Sequence, residues 1–157
     1  MENPINNSPD RNIRLDISLV SDEVVDIPEY ANIGDAAVDL RAVGKTEIAP
    51  FERAMIPCGF SIAIPEGYAG LVLPRSGLAA NHGVTVLNAP GLIDSGYRGE
   101  IKVILYNTDR ERMFVVEKGD RVAQLMLVEI PHIEFNIVEA LDDTSRGIAG
   151  FGSSGIA

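Results

Sequence analysis

Apolar residues recur in short runs along most of this chain, and near its start they alternate with polar residues. Over residues 13–19 every second residue is apolar, with Arg14, Asp16 and Ser18 between them. This alternation is typical of a strand with one buried face. Further short apolar runs follow at residues 38–43, 54–57, 60–64, 68–73, 84–87, 101–106, 113–116, 122–130 and 135–138.

Turn-forming residues separate many of these runs, as at 33–35, 65–67 and 118–120. About ten strands with little helix predict an all-β fold, a sandwich or a barrel. A length of 157 residues suits one domain with a full core. The two ends are polar or rich in glycine and serine, so we expect a disordered lead-in at 1–12, a folded domain at 13–140 and a flexible C-terminal arm at 141–157.

The run at residues 76–83, Ser-Gly-Leu-Ala-Ala-Asn-His-Gly, departs from the strand pattern. It predicts one or two helical turns, with Ser76 as the N-cap and Gly83 ending the helix. The first backbone N–H groups of such a helix suit an anion, and Arg75 beside them adds a positive charge. The alternative is a plain structural connector whose arginine pairs with a surface carboxylate.

Residues 88–100, the hairpin segment, carry three glycines around Asp94 and Tyr97 and lie between two apolar runs. This pattern predicts a long hairpin. Because glycine lets the backbone approach a ligand closely, main-chain groups of the hairpin could bind a flat polar molecule. The alternative is a surface loop in which Asp94 makes only an Asx-turn.

The arm ends in Gly-Ser-Ser-Gly at residues 152–155, whose N–H and hydroxyl groups could wrap a phosphate, and Phe151 offers a ring for stacking. The Lys-Ser/Thr ending of a Walker loop is missing, so that motif is rejected. Taken alone, the arm is more typical of a disordered tail or a cloning remnant.

The formal net charge of -10 argues against binding of nucleic acid or anionic membranes, which requires basic surface. It does not exclude a small anionic ligand, because a few arginines can act locally. A single cysteine, Cys58, excludes an internal disulfide, and two histidines make a structural zinc site improbable. The sequence has neither a secretory signal nor a membrane-length apolar run, which predicts a soluble cytoplasmic protein.

Five stretches together resemble, in order and spacing, the five motifs of the trimeric dUTP diphosphatases. They are residues 36–42, 74–79, 88–100, 119–125 and 146–155. The resemblance implies a distorted jelly-roll subunit with one short helix, in a homotrimer whose active sites are shared between chains. It also implies hydrolysis of dUTP to dUMP and pyrophosphate, which limits uracil incorporation into DNA and supplies dUMP for thymidylate synthesis. The C-terminal arm of one subunit would close over a site on another.

The same resemblance assigns the site residues. Asp94 matches the general base that deprotonates the attacking water, Ser76 is the second catalytic residue, and Tyr97 lies beneath the deoxyribose and excludes a 2′-hydroxyl. Asp39 matches the acid that helps hold Mg²⁺ through water. The remaining substrate-binding residues are Arg75, Gly77, Asn88, Gly91, Ile93, Gln124, Arg146, Phe151, Gly152, Ser153 and Ser154.

Small departures from the family pattern occur at Ala37, Ala149, Gly96 and Ser154, none of which removes a residue with an assigned chemical role. The sequence leaves two alternative functions open. A dCTP deaminase would place a catalytic glutamate in the strand after the hairpin, where residues 101–106 carry no acid. A non-catalytic nucleotide-binding trimer would keep the pocket without turnover.

Overall fold

The computed structural model describes residues 12–20, 25–144 and Gly147, and within them the chain is almost entirely β. It has one short helix, α1 (Ser76–His82). The strands are β1 (Asp16–Leu19), β2 (Val38–Arg41), β3 (Thr46–Ile48), β4 (Arg53–Pro57), β5 (Phe60–Ala63), β6 (Tyr68–Leu73), β7 (Val84–Val86), β8 (Gly91–Ile93), β9 (Lys102–Asn107), β10 (Phe114–Val116) and β11 (Arg121–Glu129).

The strands pair in antiparallel fashion into small sheets. The largest has the order β2-β11-β6-β8, and a second has the order β4-β9-β7. Two further pairs, β1 with β5 and β3 with β10, complete the described part. The sheets are open and jelly-roll-like, without a closed barrel, which confirms the predicted all-β fold and favours its sandwich form.

The core lies between these sheets and is built from buried residues of every described strand except β1, whose four residues are all exposed. In β9 the side chains alternate regularly between buried and more exposed positions, as a strand with one buried face requires. The largest fully buried apolar side chains include Leu40, Ile56, Phe60 and Leu105. Cys58 is also buried, and desolvation together with the nearby Glu100 carboxylate raises the pKa of its thiol to about 12.

Three strand predictions differ from the structure. Residues 135–138 form no strand, and the Phe135 and Ile137 side chains are almost fully exposed. An apolar run makes a strand only where another strand accepts its backbone hydrogen bonds, and the described chain supplies none there. Conversely, the three-residue strands β3 and β8 were not predicted, because so few residues give no measurable alternation.

The predicted helix is present, but its N-cap prediction is wrong by one residue. Arg75 occupies the N-cap position with an extended backbone, and Ser76 is already helical. No side chain caps the N-terminus. Gly83 ends the helix as predicted, in a left-handed conformation with φ of 63° that glycine adopts without strain. No helix in the described ranges has the length and apolarity needed to cross a membrane.

Candidate active site

The hairpin segment joins the two larger sheets. Its flanking strands β7 and β9 pair with each other, with Val86 opposite Leu105, so the predicted hairpin arms are confirmed. The middle of the segment does not stay between the arms. Gly91, Leu92 and Ile93 form β8, which pairs with β6 of the other sheet. The segment is therefore held by backbone hydrogen bonds to both sheets.

A tight turn follows β8 and presents Asp94. The Tyr97 N–H donates to the Asp94 carbonyl at 3.1 Å, which closes the turn. Arg98 Nη1 donates to the carbonyls of Ser95 at 2.6 Å and Tyr97 at 2.8 Å. The Asp94 carboxylate itself is exposed and makes no hydrogen bond or ion pair within the described part of the chain. The alternative of an Asx-turn is therefore wrong, and the carboxylate is available to a ligand.

Tyr97 is the residue that closes this turn, and its side chain is partly exposed. Its hydroxyl donates to the Glu100 carbonyl at 3.0 Å. The ring covers Gly99 so closely that a Cβ atom there would lie 2.6 Å from Tyr97 Cζ. The space beside Gly91 is also filled by neighbouring residues, since a Cβ atom added there would lie 3.2 Å from the Cβ of Val72. A Cβ at Gly96, by contrast, would meet nothing within 4 Å.

A second group of polar side chains, the arginine–aspartate cluster, consists of Asp39, Arg75 and Arg121. Asp39 Oδ1 lies 3.1 Å from Arg75 Nε, and Asp39 Oδ2 lies 3.3 Å from Arg121 Nη1. Arg75 Nη1 also donates to the Arg121 carbonyl at 3.3 Å. Arg75 Nε and Asp39 Oδ1 are buried yet not aligned as a hydrogen bond, so their contact is mainly electrostatic.

Strand register brings the other predicted phosphate-binding residues to this cluster. Gln124 on β11 lies opposite Asp39 on one side and opposite Leu73 on the other. Leu73 ends β6, and two residues later Arg75 leads into the exposed Ser76 and Gly77 of α1. The β2–β11 register shifts between Arg121 and Ala123. The end of the largest sheet at which β6 finishes thus presents two guanidinium groups, a carboxylate, an amide and a hydroxyl.

The hairpin turn and this cluster lie at different ends of β6. Ile93, just before Asp94, is opposite Gly70, and Arg75 follows Gly70 by five residues. At about 3.3 Å per residue, this offset is about 17 Å along the strand. One chain therefore does not bring Asp94 into contact with Arg75.

Both regions lie within the part of the chain that matches a known protein family. The sequence model of the dUTPase family matches residues 23–155. The chain belongs to the dUTPase family. A deoxyuridine 5′-triphosphate nucleotidohydrolase of Leifsonia xyli subsp. xyli is 52% identical over 129 residues, which cover 82% of this chain and 85% of the relative.

Solved dUTPase structures share the fold. The dUTPase of Staphylococcus bacteriophage 80alpha with dUPNHPP has a TM-score of 0.83 and 30% identity, covering 92% of this chain and 100% of that one. A mutant dUTPase from phage phi11 of S. aureus, described with a structural Mg(II) ion, has a TM-score of 0.74 and 27% identity. It covers 82% of this chain and 98% of its own.

The magnesium that the dUTPase family implies has one candidate protein ligand in the described ranges, Asp39. No group of three or more His, Cys, Asp or Glu side chains suited to a metal occurs there. Asp39 is a lone carboxylate held by two arginines. It fits an ion that takes most of its ligands from phosphate and water, and it does not build a metal site by itself.

Some predicted site residues lie outside the described residues, namely Arg146, Phe151, Gly152, Ser153 and Ser154. The sequence also failed to single out Arg121 and Glu100, both of which contact predicted site residues. Arg121 stands within the fourth motif, three residues before Gln124. That spacing alone does not reveal that the Arg121 side chain contacts Asp39 across a shift in the β2–β11 register.

Proposed function

We propose that this chain hydrolyses dUTP to dUMP and pyrophosphate. The observation that carries the proposal is the unpaired, exposed Asp94 carboxylate next to Tyr97 in the described part of a chain of the dUTPase family. Asp94 accepts a proton from water, whose oxygen attacks the α-phosphorus. The bond from that phosphorus to the bridging oxygen breaks, and pyrophosphate leaves with the electron pair.

The hairpin segment selects the nucleoside. Asn88, Gly91 and Ile93 bind the uracil edge, largely through backbone groups. Tyr97 lies under the deoxyribose and leaves no space for a 2′-hydroxyl, so UTP is rejected by steric exclusion. A backbone hydrogen bond closes the turn between Asp94 and Tyr97, so the positions of these two residues relative to each other are fixed, which favours this assignment.

The end of the largest sheet at which β6 finishes binds the phosphates. Arg75 and Gln124 contact them together with Ser76 and Gly77, and Ser76 contributes to catalysis through its hydroxyl. Two guanidinium groups at this end provide local positive charge in a protein of net charge -10. Mg²⁺ arriving with the triphosphate, held through water by Asp39, would neutralise charge on the leaving pyrophosphate.

The active protein is a homotrimer in which a hairpin segment from one copy meets an arginine–aspartate cluster from another. The offset of about 17 Å between them along β6 supports this arrangement, since a general base must lie within hydrogen-bond reach of its water. Exposed apolar side chains near the hairpin are also expected at a subunit interface: Met55 is 59% exposed, Leu87 49% and Leu92 64%.

The C-terminal arm acts as a lid from a further copy. Arg146, Ser153 and Ser154 bind the terminal phosphates, while Phe151 stacks on the base and Gly152 allows close backbone approach. A chain ending at Ser145 should remain a folded trimer and hydrolyse dUTP poorly. Full activity in that truncated chain would remove the lid from the mechanism. A cytoplasmic location stays a prediction.

A substrate panel tests the function. Purified protein with Mg²⁺ should release pyrophosphate from dUTP and scarcely from UTP or dTTP. Ammonia release from dCTP would instead indicate a deaminase, although β9 carries no acid and Glu100 is engaged with Gly59 and Lys102. Tight dUTP binding without turnover would indicate a non-catalytic binding module.

A further inference from the structure

The Tyr97 ring is held in place by one side-chain hydrogen bond within the described chain, and the acceptor is a backbone carbonyl. The Tyr97 hydroxyl donates to the carbonyl of Glu100, three residues later. Nearly half of the tyrosine residue is exposed to solvent, so few side chains pack against its outer face. The position of the Glu100 backbone therefore decides where the ring lies.

Two groups hold that backbone to the turn between β4 and β5. The Ile101 N–H donates to the Phe60 carbonyl at 2.8 Å, and the Ile101 carbonyl accepts the Cys58 N–H at 3.0 Å. The Glu100 side chain adds a further hydrogen bond. Its Oε1 accepts the Gly59 N–H at 3.0 Å, and its Oε2 lies 3.4 Å from Lys102 Nζ.

Gly59 lies in this turn with φ of 78°, and a Cβ there would collide with Val43 and Val25. Val43 and Val25 thus leave no space for a side chain at Gly59, and its carbonyl accepts the Val20 N–H at 2.9 Å, so the turn offers Glu100 a well-supported anchor.

We propose that Glu100 is a positioning residue for sugar selection, an inference that rests on the proposed function of the hairpin segment. Together with the Ile101 backbone, its carboxylate holds the carbonyl that tethers the Tyr97 hydroxyl, and the tethered ring cannot move aside for a 2′-hydroxyl. When the carboxylate is removed, this carbonyl can shift together with the ring bonded to it, and a ribonucleotide then fits. Glu100 thereby controls the choice between deoxyribose and ribose without touching the substrate.

The test compares kcat/KM for dUTP and UTP in Glu100→Ala and Glu100→Gln. Loss of one hydrogen bond should lower the dUTP:UTP ratio about three- to tenfold in the alanine variant. Glutamine keeps an oxygen for the Gly59 N–H, so its ratio should stay near that of the wild type. Lys102→Met is the matched control, because it removes only a partly exposed ion pair of small energetic value.

A second pair of variants addresses the ring without altering the anchor. Gly99→Ala places a methyl group against the Tyr97 ring and should lower the same ratio. Gly96→Ala adds a methyl group in open space in the same turn region and should leave it unchanged. This pair remains informative if Glu100→Ala does not fold.

If Glu100 had only a structural role, its replacement would lower kcat/KM for both nucleotides and leave their ratio unchanged. An unchanged ratio in folded Glu100→Ala, or in Gly99→Ala, would therefore overturn the proposal. The ratio of dissociation constants for dUMP and UMP gives the same readout without turnover. If the wild type does not hydrolyse dUTP, the proposed function fails while this binding ratio still decides the role of Glu100.

Discussion

The hairpin turn and the arginine–aspartate cluster are built by opposite means. The turn is local: its hydrogen bonds join residues no more than three positions apart, and its Asp94 carboxylate is left unpaired within the described chain. The cluster is long-range, since Asp39 pairs with side chains 36 and 82 positions further along the chain, numbers 75 and 121. The turn thus presents one free group, whereas the cluster holds charges that already satisfy each other.

This difference bears on how the two regions meet a substrate. The turn can accept a proton without breaking any described contact, because its carboxylate has no partner there to give up. Under the proposed function, the cluster would exchange part of its Asp39 contacts for phosphate oxygens and hydrated Mg²⁺. Catalytic power should therefore depend most on the hairpin turn, and substrate affinity most on the cluster.

The largest expected effect comes from removing the free carboxylate. Asp94→Asn should lower kcat for dUTP by at least about 100-fold, since an amide cannot accept the proton of water. Binding of a non-hydrolysable dUTP analogue should change little, because the residues proposed to bind base and phosphate remain. Steady-state kinetics and equilibrium binding measure the two quantities separately.

Asp16→Asn is the control for this variant, because Asp16 is an exposed carboxylate on β1 that pairs only with Arg14 within the described chain. It should keep the wild-type rate. A wild-type rate in Asp94→Asn would show that the free carboxylate of the turn has no part in the reaction.

Mixing two inactive proteins tests whether the turn and the cluster act across a subunit interface. Asp94→Asn lacks the base, and Arg75→Ala lacks a phosphate-binding group. After equimolar co-refolding, about a quarter of all sites, which is one site in each mixed trimer, should have both residues intact and regain activity. Each variant refolded alone is the control. No recovery, with mixed trimers verified by mass, would mean that both residues serve the same site from one chain.

The sequence predicted what depends on local chemistry. Alternation over residues 13–19 predicted the strand β1, but the expected buried face was wrong, since all four residues of β1 are exposed in the described chain. Gly83 predicted the helix end, because that end follows from the preferences of neighbouring residues. The two arms of the hairpin were predicted on the same grounds. Asp94 and Tyr97 were found as candidates because they are the chemical side chains of a glycine-rich turn.

Contacts that depend on strand register were not predictable. A shift of one residue reverses the face to which a side chain points, so nothing in residues 119–125 shows that Arg121 meets Asp39. The pairing of β8 with β6 could not be predicted either, because a strand of three residues shows no measurable alternation. Family resemblance supplied the roles of Asp39 and Gln124, and strand pairing then supplied a physical reason for their proximity.

A smaller effect is expected from the cluster. Arg121→Ala leaves Arg75 as the remaining described partner of Asp39, so Arg75 is less available to phosphate. KM for dUTP with Mg²⁺ should rise roughly tenfold, a typical cost for losing a hydrogen bond to a charged group, while kcat changes less. Arg53→Ala, an exposed arginine of β4 outside the cluster, should leave both constants unchanged. A drop in kcat with unchanged KM would contradict the division of roles between the two regions.

The smallest effect concerns the base of the hairpin, where Cys58 is buried beside the Glu100 anchor. The folded state raises the pKa of its thiol from 9.0 to about 12, so its contribution to stability is complete below pH 9 and is lost as pH rises towards 12. Between about pH 9 and about pH 10.5 the wild type should lose about 2 kcal/mol more unfolding free energy than Cys58→Ala, which has no thiol to ionise. Urea unfolding at several pH values measures this difference. Parallel pH curves for the two proteins would mean that the thiol is accessible to water.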